Sequence, residues 1–288
     1  MIGYGSATEN VPMDDNRRKT YHNPIADGEE KYYWSSVAKE WKEQGPQKLW
    51  RIHADALNSD LIARWLPSST VVDLLLKTDL FDEAFGNGLR RIMEAKSCCI
   101  VGMDISEPIV CSACESGEAI TGISADLRSL PFQEETFDIV LSISSLDHFK
   151  TRHEIIVALR ELHRVLKKGG RIIITLDNPG NPLIALRGLL PFKFLNRMGI
   201  VPYYLGATAG HAWLRRVMED AGFTILECSA IMHFPRVLAV AMARVLEIHA
   251  GPDTQEIFRR TLKAFERLSL LPTRFLTGHF TAIKAVKQ

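Results

Sequence analysis

Short apolar runs alternate with helical patterns along most of this 288-residue chain. Residues 71–81, 98–103, 120–125, 137–144 and 171–176 read as strands, being largely apolar runs of strand length with polar or turn-forming residues between them. Residues 89–96, 108–116 and 153–167 repeat apolar positions at the spacing of one helix face. Apolar strands separated by helices predict a parallel sheet covered on both faces, whose ligands bind at the carboxyl ends of the strands. Further along, residues 223–234 and 279–286 predict two more strands, with amphipathic helices over 237–249 and 254–268 between them. Upstream, residues 30–66 predict two or three helices around a break at Gly45-Pro46, their aromatic residues spaced as a core face. The first 28 residues are polar, turn-rich and aperiodic. The expected organisation is a loose arm over 1–28, N-terminal helices over 29–66, and an α/β domain over 67–288 with additions at 179–208 and 235–271.

The best-specified unit spans residues 137–178. Thr151-Arg152-His153-Glu154 has the form of a capping box, and Ile155, Ile156, Leu159, Leu162, Val165 and Leu166 line one face after it. Lys167-Lys168-Gly169-Gly170 is expected to end that helix with cations and a C-terminal glycine. A helix between two apolar strands predicts a right-handed crossover.

Composition narrows the function. Hydrophobic residues at 46% and charged residues at 24% describe an ordinary globular protein. A net charge of +1 and the lack of a dense Lys/Arg block argue against a nucleic-acid partner. The first twenty residues lack the charged-then-apolar order of an export signal, and no run of about 18 uncharged apolar residues is present, so a cytoplasmic location is expected. Five cysteines in such a chain are expected to be reduced. Cys111 and Cys114 form a C-x-x-C without a second ligand pair, so no metal is expected. The 179–208 addition is apolar with scattered cations Arg187, Lys193 and Arg197, and reads as a lid. With the 235–271 addition it suggests a small-molecule acceptor that is apolar or lipid-like. Two readings of the lid stay open: peripheral contact with a membrane surface, or packing against the N-terminal helices.

Five segments together resemble a known family: Val-Gly-Met-Asp-Ile-Ser at 101–106, Ala-Asp-Leu-Arg-Ser-Leu-Pro-Phe at 125–132, Thr-Phe-Asp-Ile-Val-Leu-Ser at 136–142, Leu-Arg-Glu-Leu-His-Arg-Val-Leu-Lys-Lys-Gly-Gly-Arg at 159–171 and Met-Glu-Asp-Ala-Gly-Phe at 218–223. In this order and spacing they resemble the class I, Rossmann-like S-adenosylmethionine-dependent methyltransferases of small molecules, over roughly residues 62–232. The resemblance implies a three-layer α/β fold with a mostly parallel seven-stranded sheet, and S-adenosyl-L-methionine as cofactor.

An acid at the end of the second strand is placed to accept both ribose hydroxyls, and Asp104 stands there with Ile105 beside it. The resemblance implies that Asp126 accepts from the adenine amino group while Leu127 offers a backbone amide. Each aspartate has a second reading, Asp104 as a helix cap and Asp126 as a turn former. The chain departs from the family at the glycine-rich loop after the first strand. An alignment starting at Asp73 leaves no glycine, whereas one starting at Asp82 retains Gly86 and Gly88 and is preferred. The forms Leu-Lys-Thr-Asp-Leu-Phe-Asp-Glu-Ala at 76–84, Ser-Ser-Leu-Asp-His-Phe at 144–149 and Leu-Asp-Asn-Pro-Gly-Asn-Pro at 176–182 together resemble a subset of the family. In such a loop Lys77 is a candidate to pair with the methionine carboxylate, and Asp79 or Asp82 to accept from its amino group. After the fourth strand, Ser144-Ser145-Leu146-Asp147-His148 reaches the same edge, with His148 as candidate base and Asp147 as its partner. The other reading is a helix cap and a half-buried imidazole. Asp177 and Asn178 are pocket candidates by position. The alternative function is a non-catalytic protein that binds the cofactor or a partner through an altered loop. A dinucleotide oxidoreductase is disfavoured, because no Gly-x-Gly-x-x-Gly opens the first helix.

Overall fold

The computed structural model describes Ile25 and residues 28–44, 47–66, 69, 71–117 and 119–288. Most of the 1–28 arm and the Gly45-Pro46 break lie outside the described residues. In chain order the elements are α1 (Glu30–Gln44), α2 (Lys48–Trp65), β1 (Val72–Lys77), α3 (Phe81–Phe85), α4 (Arg90–Glu94), β2 (Ser97–Asp104), α5 (Glu107–Glu115), β3 (Ile120–Ser124), β4 (Phe137–Ile143), α6 (Arg152–Val165), β5 (Leu166–Asp177), α7 (Pro182–Arg187), α8 (Phe192–Arg197), α9 (His211–Asp220), β6 (Phe223–Ile231), α10 (Arg236–His249), α11 (Pro252–Ala264), α12 (Arg274–Thr277) and β7 (Phe280–Lys287). The strands form one seven-stranded sheet in the order β3-β2-β1-β4-β5-β7-β6. β7 lies antiparallel between β5 and β6, and the remaining pairs are parallel. This is the three-layer Rossmann-like methyltransferase architecture expected from the sequence.

Alternation along the strands divides the core between the two sheet faces. Leu75 of β1 and Ile173 of β5 point into a cluster with Leu61, Ile62 and Trp65 of α2 and Ala239 of α10. Leu76, Ile172 and Ile174 point the other way, onto Ile155, Leu159 and Leu162 of α6. The α6 capping box forms: Thr151 Oγ1 accepts from the Glu154 N–H at 3.2 Å and Glu154 Oε2 accepts from the Thr151 N–H at 2.8 Å.

Two local expectations are corrected. Strand β1 stops at Lys77, and residues 81–85 coil into α3. Its end is set by the sheet, since the Thr78 N–H donates the last bond to β4, at Leu141 O (3.1 Å). The second correction concerns Lys167-Lys168-Gly169-Gly170. Helix α6 ends at Val165 with Leu166 already extended, and the four residues lie inside β5 as a bulge, where the register passes from Phe137↔Leu166 to Ile139↔Arg171. Gly169 takes φ +75° there, a left-handed conformation that serves a bulge as well as it serves a helix end.

Candidate active site

The carboxyl ends of β1 to β4 open into one cleft, with Glu30 and Trp34 of α1 on its far wall. Asp79, Asp104 and Asp126 stand along it at or just past the ends of the first three strands, with Asp82 of α3 beside them. Asp104 Oδ1 accepts from the Ser106 N–H (2.9 Å) and Oδ2 from the Leu80 N–H (3.2 Å), so it ties the turn after β1 to the start of α5 while facing the cleft. Burial, and then the neighbouring Asp79, push its carboxyl up to about 7. Asp79 Oδ1 accepts from the Phe81 N–H at 2.9 Å. Burial raises this carboxyl as well, against the pull of Lys77.

Asp126 holds Arg128 in a fork: the arginine Nε lies 3.0 Å from each carboxylate oxygen, and Nη2 lies 2.6 Å from Oδ2. Its backbone carbonyl accepts from the Ser129 N–H at 3.0 Å. The turn role foreseen for Asp126 is thus present together with its place on the cleft. Ile105 and Leu127 add apolar wall, and Ser144 closes the β4 end. Ser144 sits at φ +53°, its N–H donating to Thr175 Oγ1 at 2.9 Å.

Lys77, Gly86 and Gly88 are set apart from this cleft. The turn after β1 is Thr78-Asp79-Leu80, so these three residues occupy the glycine-loop position, and Gly86-Asn87-Gly88 come only after α3. Gly88 (φ +50°) packs on the Glu83 side chain and Gly86 on Arg51. Lys77 is 2% exposed, and its Nζ lies 2.9 Å from Glu83 Oε2 and also donates to the Asp79 carbonyl. Burial pulls against its charge, but Glu83, Asp79 and Asp82 hold the ammonium above the usual lysine range. Glu83 in turn accepts from the Leu89 N–H at 2.8 Å. The pair therefore braces the end of β1 against α3 and the following turn. Asp82 lines the cleft from α3, 3.3 Å from Arg51 Nη2.

Next to the cleft lies a larger cavity of about 840 Å³, within the range of small-molecule sites. Trp41 of α1, Trp50 of α2, Ile184 and Leu195 of the 179–208 addition and Val240 of α10 give it an apolar wall. Ser144, His148 and Tyr203 border both spaces. His148 ends a 3-10 turn over Leu146–His148. Its ring packs edge-on against Trp34 at 4.4 Å and against Tyr203 at 5.7 Å between centroids. Burial lowers its pKa, outweighing Asp79, Asp177 and a hydrogen bond with the Tyr204 backbone, so the neutral imidazole predominates. Its Nδ1 has no hydrogen-bond partner among the described residues.

Asp147 does not orient this ring by a hydrogen bond, since its Oδ1 is 3.9 Å from Nε2. It faces the large cavity instead, 2% exposed, its Oδ1 unpartnered among the described residues. Burial and the nearby Asp177 carry its pKa well above the carboxylate range. Asp177 behaves oppositely. Burial opposes its ionisation, but Arg187 and His279 outweigh this and hold it below the usual range. Asn178 is structural, its side-chain amide donating to Phe275 O (2.7 Å) and Gly278 O (2.9 Å).

Residues 84–174 match the methyltransferase domain family. Over that stretch, about a third of the chain, the protein carries a methyltransferase domain. It is 34% identical over 110 residues to the tRNA (carboxymethyluridine(34)-5-O)-methyltransferase of Arabidopsis thaliana, a match covering 38% of this chain and 24% of that protein's length. To the demethylmenaquinone methyltransferase of Thermus thermophilus it is 29% identical over 160 residues, 52% of this chain and 70% of that one. Among solved structures, an S-adenosylmethionine-dependent methyltransferase of Thermotoga maritima superposes with a TM-score of 0.57 at 15% identity, covering 90% of this chain and 99% of that one.

The acceptors around the cleft fit S-adenosylmethionine: carboxylates at three strand ends suit a cationic ligand rich in hydroxyl and amino donors. Tyr203 and Arg128 also border the cleft and were not foreseen. Trp34 joins them, although the aromatic spacing of α1 favours a core face over a substrate-binding one. Nothing in the spacing of Arg128 or Tyr203 marked either one.

Proposed function

We propose that this methyltransferase transfers the methyl group of S-adenosylmethionine to a small acceptor with an apolar body and a protic oxygen or nitrogen, seated in the 840 Å³ cavity. The carrying observation is that the cofactor cleft and this cavity meet at Ser144, His148 and Tyr203. When bound, the cofactor supplies an electrophilic methyl on a sulfonium. Asp104 would hold the ribose hydroxyls, Asp126 and Leu127 the adenine, and Asp79 the amino group. A neutral His148, which borders both spaces, would take the acceptor's proton on methyl transfer. Asp147 borders the same cavity beside Arg187 and Arg236 and would offer the acceptor's polar head a hydrogen bond.

The apolar reading is favoured over tRNA because Trp41, Trp50 and many aliphatic side chains wall the cavity alongside its arginines, and the chain carries a net charge of only +1. Incubation with radiolabelled cofactor and a cell extract, followed by solvent partition, tests it. Label is expected in the organic phase and should fall by about 10²–10⁴-fold in His148→Ala. Label confined to RNA would overturn the acceptor class, and a His148→Ala enzyme with full rate would remove the base.

A further inference from the structure

The large apolar residues that both line the cavity and stand exposed mark its mouth: Leu183 (55%), Leu186 (57%), Leu190 (36%), Met198 (62%), Val237 (49%) and Leu238 (57%). They belong to the 179–208 addition and to α10. The apolar surface continues past the mouth onto residues that do not line the cavity, Phe194 at 52% exposed on α8 and Met242 at 46% and Val245 at 58% on α10. A soluble surface rarely gathers so many large apolar side chains around one opening without covering them.

Charge says what covers them. Residues 179–208 contain no aspartate or glutamate, and their cations are Arg187, Lys193 and Arg197. Arg187 is spent internally on Asp177, whereas Lys193 and Arg197 are exposed on α8 beside Phe194. On α10 the exposed Arg244 lies at the cavity wall, and the helix's one acid, Glu247, accepts from the Leu49 N–H at its far end. An apolar rim fringed by cations and free of acids complements an anionic lipid surface, into which the side chains sink while the cations meet headgroups.

No described helix is long and apolar enough to cross a bilayer. We propose that this rim docks the enzyme peripherally on anionic membranes, with the cavity mouth against the lipid, so that the acceptor enters from the bilayer. The last clause rests on the acceptor reading above; docking itself does not.

Sedimentation with vesicles of phosphatidylcholine alone, or with phosphatidylglycerol added, tests this on the full chain. Co-sedimentation is expected with the anionic vesicles and to weaken about tenfold or more in Lys193→Glu/Arg197→Glu. A Phe194→Glu/Met242→Glu variant should also lose binding, while thermal stabilisation by S-adenosylhomocysteine stays unchanged and certifies the fold. Equal binding to neutral vesicles, no binding to either, or unaltered binding by both variants would overturn the proposal. So would self-association of the wild type through this rim, seen as a dimer that the Phe194→Glu/Met242→Glu variant abolishes. If docking holds while label appears only in RNA, the acceptor reading fails and the docking surface stands.

Discussion

The carboxyl of Asp104 sits near 7 because it is buried beside Asp79, yet its proposed task, accepting ribose hydroxyls next to a cationic cofactor, favours the ionised form. Binding should therefore expel a proton. Affinity for S-adenosylmethionine is expected to rise between pH 6 and 8, approaching tenfold per pH unit on the acid side of this pKa. Calorimetry in two buffers of different ionisation heat measures the proton release directly, and Asp104→Asn should weaken binding and flatten the pH dependence. Lys77 behaves as a brace. Lys77→Met would leave Glu83 buried without its cation, at a cost of about 3–5 kcal/mol in a urea melt, and adding Glu83→Gln should recover part of it. A Lys77→Met protein of unchanged stability but lost cofactor affinity would restore the ligand role. The ligand reading of Lys77 has a plain cause: its partner is six residues away on α3, whose residues from Asp82 onward read as the glycine loop, so a lysine beside a ligand-binding edge looked like a ligand.

At the scale of elements, what was legible was whatever a local pattern forces. The α6 capping box, the apolar strands and the crossover between β4 and β5 each follow from spacing, and they put Asp104, Asp126 and His148 at strand ends where a ligand would bind. Signals that serve two structures were not legible. A glycine at positive φ after Lys167-Lys168 suits a helix terminus and a strand bulge alike, and only pairing with β4 decides. Gly169→Ala should cost about 1 kcal/mol, since a Cβ is disfavoured at φ +75° even with open space around it. A loss well beyond that in chemical denaturation would mean that the bulge also sets the register of β5. The aromatic residues of α1 have the same ambiguity. Trp34 packs as a core residue would, but the surface it covers is the ring of His148, and this depends on where α1 crosses the sheet edge.

Across the whole molecule, buried titratable groups of two kinds pull stability in opposite directions with pH. Asp55 and Asp104 are held near 7 and Asp147 well above its ordinary value, all mainly by burial. Each of these groups has a folded pKa above its unfolded one, so its contribution is complete at low pH and is lost as pH rises through the folded value. The buried histidines run the other way. His53 is held down to about 4, and His148 and His279 are also lowered, so their contribution is present above the unfolded value of about 6.5 and is lost as pH falls below it. Between about pH 4 and 6.5 the two sets oppose each other, whereas from about pH 6.5 through 7 the histidines are neutral in both states and only the acids change stability. The ligand-free Tm should therefore have its maximum at or below about pH 6.5 and fall as pH rises through 7. Saturating S-adenosylmethionine reverses the sign for Asp104 alone, because the bound state prefers that carboxylate ionised, and the maximum should move toward higher pH. Differential scanning fluorimetry from pH 5.5 to 8.5, with and without cofactor, tests both statements. An apo Tm still rising at pH 8 would mean that the buried acids are ionised in the fold. An unmoved maximum with cofactor bound would mean that Asp104 does not face it.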